Sequence, residues 1–358
     1  MAGLYIHVPY CHSKCAYCDF YSTARTVDPR YTATILDEYS RRRGELTEPV
    51  ETVYFGGGTP SILPEDDLRL LLRRFARLNP TEFTVEVNPE DVSDRLCRLL
   101  ADCGVNRVSM GIQSFDAREL KTIGRRHSPD DALRALERLR SAGLENISGD
   151  LIFGLPGQTL QSWERSLGRL LGLGLPHFSA YLLSYEEGTR LFRWLEAGRV
   201  EEASEEFVTE MYRLLIGEAR RGGYSHYEIS NYSLPGREAL HNTNYWRSRP
   251  YLGLGPGAHS FDGLVRRYNP SSLKEYLESG GRITLVDDED ETSRINDRII
   301  TALRTREGLD VATVPPSVLD AGRPWLAEGH MLLTDGRLSI AEPSLLISDR
   351  ILTDLIII

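Results

Sequence analysis

The chain has 358 residues, with 42 Lys and Arg against 52 Asp and Glu, and a net charge of −10. At roughly 150 residues per domain that length suggests two or three domains, and 41% apolar residues supply a large core. The acidic balance argues against a general nucleic-acid or anionic-membrane binder, and five cysteines are too few for a disulfide scaffold.

The opening MAGLYIHVPY places His7 and Pro9 where a secretory signal needs an apolar stretch, and no run of about 18 apolar residues follows. A reducing cytoplasm is the expected setting. Short β-rich apolar runs are predicted at residues 4–7, 52–55, 82–87, 107–112, 147–153 and 177–182. Amphipathic helical patterns lie between them at 65–78, 93–103, 129–142 and 160–173. Repeated βα units imply a parallel sheet with right-handed crossovers, and periodicity alone leaves doubly wound and barrel arrangements open.

The unusual residues weigh on that choice. The cysteine loop follows the first run, GGGTP (56–60) follows the second, and Glu86 closes the third. Gln113 follows the fourth, Asp150 lies in the fifth, and Ser184 comes just after the sixth. Polar groups delivered to one rim by successive strands favour a barrel-like arrangement, in which chemistry collects at the strands' C-terminal ends.

After about residue 190 the alternation stops. Residues 205–221 are predicted helical, with Phe207, Met211, Leu214 and Leu215 on one face, followed by an aromatic, Gly/Asn-rich stretch over 223–261. The acidic run DDEDE (287–291) reads as a linker. Beyond it come a helix at 293–306, a short helix near 316–320, a hairpin turning at Asp335-Gly336, and a terminal helix. That set resembles a winged-helix module, and its excess of acidic over basic side chains speaks against DNA binding. The expected division is 1–190, 191–289 and 290–358.

The string Cys11-His-Ser-Lys-Cys15-Ala-Tyr-Cys18-Asp-Phe20 has the spacing CxxxCxxC. Thiolates are soft ligands suited to zinc or iron–sulfur clusters. A structural zinc site closes with four ligands; His7 and His12 are near, but no second CxxC completes a ribbon. Three thiolates leave one iron of a four-iron cluster open to a small molecule. Cys97 and Cys103, on LCRLLADCGV, read as buried apolar-type thiols. GGGTP has no following GK[ST], so it is not a nucleotide P-loop, although a tight turn or a phosphate cradle stays open. Glu86 reads equally as a solvated strand-end carboxylate or as an acceptor beside a bound cation.

The cysteine spacing resembles the cluster motif of the radical S-adenosylmethionine (SAM) superfamily. The order HVPYCHSKCAYCDF, GGGTP, EVNPE, GIQSF, DLIFGLPGQT resembles the oxygen-independent coproporphyrinogen dehydrogenase family over nearly the whole chain. The resemblance implies an α/β fold: a radical-SAM partial (β/α)6 barrel over 1–190, an extension over 191–289, and a small C-terminal winged-helix-like α+β domain over 290–358. It implies a 4Fe-4S cluster on Cys11, Cys15 and Cys18, whose open iron chelates SAM and whose reduction cleaves the sulfonium. It further places Gly57, Gly58 and Thr59 at the methionine amino group, Glu86 beside the cation, Gln113 at the carboxylate, and Asp150 at the ribose. Arg125 becomes the SAM-facing arginine, with Arg126 beside it as a second candidate. Tyr5 and the backbones of Tyr17 and Ser184 also match SAM-contacting positions.

Within that family the dehydrogenase proper has another cysteine two residues after its third, and a long N-terminal extension. Here Phe20 stands at that position and ten residues precede Cys11. Both departures resemble the HemW-type heme-chaperone branch, whose HNxxYW signature is present as His241-Asn242-Thr243-Asn244-Tyr245-Trp246. The resemblance implies a heme chaperone holding heme through His241, with Asn242, Tyr245 and Trp246 around the porphyrin; imidazole is a common axial ligand. Without the resemblance, His241 reads as a loop cap and the two aromatics as half-buried packing. His259, in GLGPGAHSF, is a further ligand candidate, and Lys14 reads as a solvated loop residue. The partners implied are heme, heme-acceptor proteins including membrane-bound hemoproteins, and an electron donor for the cluster, with no nucleic acid. The competing expectation is a SAM-dependent enzyme that oxidatively decarboxylates coproporphyrinogen III; the cofactor machinery is common to both.

Overall fold

The computed structural model describes residues 2–287 and 290–357. β1 (Ala2–Val8) leads through α1 (Tyr31–Arg42) to β2 (Val50–Gly57), α2 (Glu65–Ala76) and β3 (Glu82–Val87), then through α3 (Asp94–Asp102) to β4 (Arg107–Gln113). α4 (Ala117–Thr122) and α5 (Pro129–Ser141) precede β5 (Ile147–Phe153), and α6 (Leu160–Gly172) precedes β6 (His177–Leu182). Neighbouring strands from β1 to β6 pair in parallel, as the βα alternation predicts.

The helices cover the sheet with the faces their periodicity marks. α2 buries Leu68, Leu71, Leu72 and Phe75 and carries Glu65, Asp66 and Asp67 in its first turn, where acidic side chains meet the positive end of the helix dipole. α5 and α6 open on capping boxes, Ser128 with Asp131 and Thr159 with Ser162. α1 is not among the predicted helices. Its buried side mixes Tyr31, Ile35 and Tyr39 with Thr32, Thr34, Glu38 and Arg42, so the apolar period is weak.

α7 (Arg190–Glu196) and α8 (Glu205–Arg221) leave the sheet, and the chain returns as β7 (Ser225–Glu228) and β8 (Asn231–Ser233), an antiparallel pair added beside β6. α9 (Leu240–Trp246) carries the chain to the other side, where β9 (Tyr251–Leu254) joins β1 in parallel. β10 (His259–Phe261), β11 (Arg266–Tyr268), α10 (Leu273–Glu278) and β12 (Leu285–Asp287) follow, and the three strands extend the sheet antiparallel. The 12-stranded order is β12-β11-β10-β9-β1-β2-β3-β4-β5-β6-β8-β7. β1 pairs with β2 and β9, and β6 with β5 and β8, so the parallel core is an open, partial barrel.

The acidic run expected as a linker is structured at both ends. Asp287 ends β12, and Asp290 caps α11 (Glu291–Leu303) by accepting from the Ser293 N–H at 2.8 Å. Residues 288 and 289 lie outside the described residues. Next come β13 (Leu309–Asp310), α12 (Pro316–Ala327), β14 (Met331–Thr334), β15 (Arg337–Ile340) and α13 (Ser348–Leu355), with a three-stranded sheet in the order β13-β15-β14. The β14–β15 turn puts Asp335 at φ 51° and Gly336 at φ 75°, as a two-residue hairpin requires. Among the described residues no helix is long and apolar enough to cross a membrane.

Candidate functional site

β1 delivers the cysteine loop at its C-terminal end, and the loop after β2 is latched onto it. The Gly58 N–H donates to the Val8 carbonyl at 2.7 Å and the Thr59 N–H to the Tyr10 carbonyl at 2.7 Å. A Cβ on Gly58 would lie 2.5 Å from the Tyr10 oxygen, and one on Gly57, at φ +104°, would run into the His7 ring. The glycines of GGGTP therefore let two loops pack backbone to backbone.

Cys11, Cys15 and Cys18 line one cavity of about 460 Å³, within the size range of ligand sites. All three are free thiols. Burial, with Cys15 and Cys11 adding, pushes the Cys18 thiol up to about 11 against a hydrogen bond from the Phe20 backbone. Thiolates crowded in this way need positive charge, which bound metal supplies. Among the described residues no group of three or more His, Cys, Asp or Glu gathers around a single metal position. A four-iron cluster makes a different demand, because each thiolate binds its own iron.

The other walls come from successive strand ends. Glu86 accepts from the Tyr54 hydroxyl at 2.7 Å and from the Gly57 N–H at 3.2 Å, and burial pushes its carboxyl up to about 7. Gln113 sits at φ +64°, where β4 is irregular against β5. A side chain in that region costs on the order of 1–3 kcal/mol and marks functional sites. Arg125 donates to Asn88 Oδ1 and to the Gly111 carbonyl, each at 2.7 Å, and lies 3.7 Å from Cys15 Sγ. Asp150 accepts from Ser179 at 2.8 Å, Ser109 at 3.1 Å and Ser148 at 3.3 Å, while burial raises its carboxyl. Tyr17, Gly57, Gly58, Thr59, Ser184 and Arg126 also line this cavity, so every residue expected at SAM except Tyr5 is gathered there. Asn88 is an addition: it donates to Thr59 Oγ1 at 2.9 Å and accepts from Arg125, bridging two walls. Its position inside EVNPE, two residues after Glu86, is the only signal in the sequence.

Tyr5 opens instead on a second cavity of about 470 Å³, whose walls include Tyr245, Trp246, Tyr251, Phe261 and His259. Phe20, 69% exposed, lines both cavities. His241 lines neither cavity and is 1% exposed. Its Nδ1 lies 2.8 Å from Thr52 Oγ1 and its Nε2 2.8 Å from the Tyr245 hydroxyl, and its ring stacks on Tyr54 at 5.0 Å. Burial, with Arg107 adding, pushes this imidazole down to about 3 and keeps it neutral. Asn242 is half-buried on the same helix, outside both cavities. A continuous path thus runs from Glu86 through Tyr54 and His241 to Tyr245, joining the walls of the two cavities.

The sequence model of the Radical SAM superfamily matches residues 5–170. The chain is 36% identical over 313 residues to the heme chaperone HemW of Lactococcus lactis, covering 85% of this chain and 82% of that protein. The chain belongs to the HemW family of heme chaperones. HemW of Bacillus subtilis is 38% identical over 287 residues, 78% of this chain and 76% of that one. Among solved structures, the coproporphyrinogen III oxidase HemN of Escherichia coli, described as a radical SAM enzyme, aligns with a TM-score of 0.82. It covers 99% of this chain and 90% of its own at 20% identity, a likeness of fold. The expected radical-SAM α/β fold is therefore borne out, and membership of the superfamily implies a 4Fe-4S cluster and SAM.

Proposed function

We propose that the chain is a heme carrier on a radical-SAM scaffold, which binds heme in the aromatic cavity and passes it to acceptor proteins, membrane-bound hemoproteins among them. The observation that carries this reading is the contact between the cavities: an aromatic chamber adjoins the cysteine-lined one, and Phe20 forms part of both walls. Cys11, Cys15 and Cys18 fit a 4Fe-4S cluster, being three soft donors that leave one iron open beside a cavity into whose walls Glu86, Gln113, Arg125 and Asp150 are set. When bound, the cluster supplies one-electron reduction of SAM, drawing on an electron donor.

The chain's own residues do the positioning. Glu86 offers a carboxylate to the SAM ammonium, Gln113 and Arg125 face its carboxylate, and Asp150 accepts from the ribose hydroxyls. Tyr245 and Trp246 pack on the porphyrin, while His241 and Asn242 belong to the helix that presents them. Phe20 leaves the cluster loop without the extra cysteine that the dehydrogenase branch carries, which favours the carrier.

A hemin titration of the purified full chain tests this. The expected result is a saturable Soret change at about one heme per chain, with no anaerobic loss of coproporphyrinogen III in the presence of SAM and a reduced cluster. Failure to bind hemin, together with SAM-dependent formation of protoporphyrinogen IX, would replace the carrier with the dehydrogenase.

A further inference from the structure

We propose that His259 is the iron ligand in the aromatic cavity, and that His241 acts as a support for Tyr245 in its wall. This assignment rests on the heme-carrier reading and adds to it the residue that meets the metal.

An axial ligand must bring a nitrogen lone pair to an open space. Two histidines line the cavity, His7 and His259. His7 is committed: Nδ1 lies 3.0 Å from the Tyr5 hydroxyl and Nε2 2.9 Å from the Tyr21 carbonyl. His241 is committed and buried beneath Tyr245, and reaching the cavity would break its contacts with both Thr52 and Tyr245. His259 is exposed, and among the described residues neither of its ring nitrogens is hydrogen-bonded. One face of its ring rests on Tyr268, with centroids 5.5 Å apart and planes 24° from parallel.

The backbone beneath His259 is held in place. A Cβ at Gly253 would lie 2.0 Å from the His259 carbonyl oxygen, so only glycine lets β9 come so close. The next residue, Ser260, is buried and its Oγ accepts from the Gly253 N–H and from Arg42, each at 3.0 Å. Gly255 and Gly257 turn the chain at φ 97° and 72°, and the Asn269 N–H closes the turn on the Ala258 carbonyl at 2.9 Å. GLGPGAHSF is thus a rigid support that presents one uncommitted imidazole.

The rest of the cavity fits a flat, aromatic, carboxylate-bearing metal complex. Tyr245 meets Tyr251 edge to face at 4.6 Å, with Trp246 and Phe261 beside them, which gives porphyrin faces an aromatic surface. The Arg266 guanidinium lies 5.6 Å from the Phe261 ring centroid on the same wall, paired with Asp297 and 3.3 Å from the Tyr251 hydroxyl, so a propionate would share it with Asp297 as a second acceptor. Iron porphyrin satisfies all three features together: an imidazole for the metal, aromatic walls for the ring, and a cation for the acid.

The test compares the full chain with His259→Ala and His241→Gln, each titrated with hemin and examined by absorption and electron paramagnetic resonance. His259 is exposed and among the described residues its ring makes no hydrogen bond, so His259→Ala is expected to keep the wild-type melting temperature. It is expected to weaken hemin binding at least tenfold and to lose the histidine-ligated signature, which added imidazole restores. His241→Gln is expected to melt earlier and to keep that signature. An unchanged spectrum in His259→Ala overturns the assignment, as does loss of the signature in a His241→Gln protein that melts like wild type. A wild-type chain that takes up no hemin would remove the carrier reading itself, a different failure from either.

Discussion

Glu86 shows how one residue's surroundings set a working pH. Its carboxyl is pushed up to about 7 by burial, against hydrogen bonds from Tyr54 and Gly57. Near neutrality it is therefore half protonated, and only the ionised form attracts the SAM ammonium. As pH falls through 7 that attraction is lost, so SAM affinity is expected to drop about tenfold from pH 8 to pH 6, about one decade per pH unit below the carboxyl's own value. Equilibrium dialysis with SAM over that range checks it, and Glu86→Gln should bind weakly with a flat profile. A wild-type profile as flat as the variant's would mean that Glu86 does not face the cation. Glu86 and Gln113 were legible in sequence because each stands at the end of a run of β-branched and apolar residues, where a barrel puts its chemistry, and Asp150 because it is a lone acid inside such a run. Tyr5 and His241 were legible only in part: their motifs mark the neighbourhood, but a hydroxyl turned to His7 and a ring buried under Tyr245 are set by tertiary packing.

At the scale of elements, α1 matters more than its absence from the predicted pattern suggests. The Glu38 carboxylate is fully buried and accepts from Arg42 at 2.8 Å, Asn269 at 2.7 Å, the Tyr276 hydroxyl at 2.6 Å and the Gly255 N–H at 3.0 Å. Arg42 in turn reaches the Gly253 carbonyl at 3.2 Å. One helix thereby fastens the turn that presents His259 to the edge of the barrel. Buried ion pairs add little net stability when complete, but losing one partner strands the other's charge, at about 3–5 kcal/mol. Glu38→Ala is expected to lose stability on that scale, and Glu38→Gln less, because the amide keeps one acceptor for Arg42. Urea unfolding measures both; a loss under about 1 kcal/mol in the alanine variant would show that water replaces the carboxylate. The same polar side chains explain why α1 escaped the reading: a helix that faces its neighbours with Glu38 and Arg42 lacks the apolar period that marked α2. The acidic run after β12 misled for the related reason that Asp290 is a cap, and a cap composition resembles that of a linker.

Over the whole molecule, the barrel interior is polar where the extension meets it. Glu82 of β3 accepts from the Leu240 and His241 N–H groups at the start of α9, and lies 4.0 Å from Arg107 of β4. His177 of β6 has Ser148 at 2.7 Å and the Tyr227 hydroxyl at 2.8 Å on its two nitrogens, with Arg107 alongside. None of this shows in periodicity, because a polar residue in an otherwise apolar strand reads the same whether it faces the axis or water. The network has a consequence for acid stability. Burial holds His7 below its ordinary value, and His177 well below, the latter with Arg107 adding, while His241 is pushed down to about 3. An unfolded histidine binds its proton near 6.5, so between about 6.5 and 3 the unfolded chain holds more protons and stability is lost as pH falls. Glu86 and Glu228, both pushed up to about 7 by burial, act in the opposite sense between 7 and the ordinary glutamate value of 4.5, where the folded chain holds the extra protons. The two sets oppose each other down to about 4.5, and below it the histidines act together with carboxylates that their partners hold low, Asp28 and Asp131 at about 2. The urea midpoint should therefore change little from pH 7 to 5 and fall steeply below 4.5. His177→Gln removes one of the protons that drives the fall, so its slope should be shallower by up to about 1.4 kcal/mol per pH unit. Measuring both proteins in the same buffers cancels the carboxylates they share, and equal slopes would mean that His177 is not held neutral in the folded barrel.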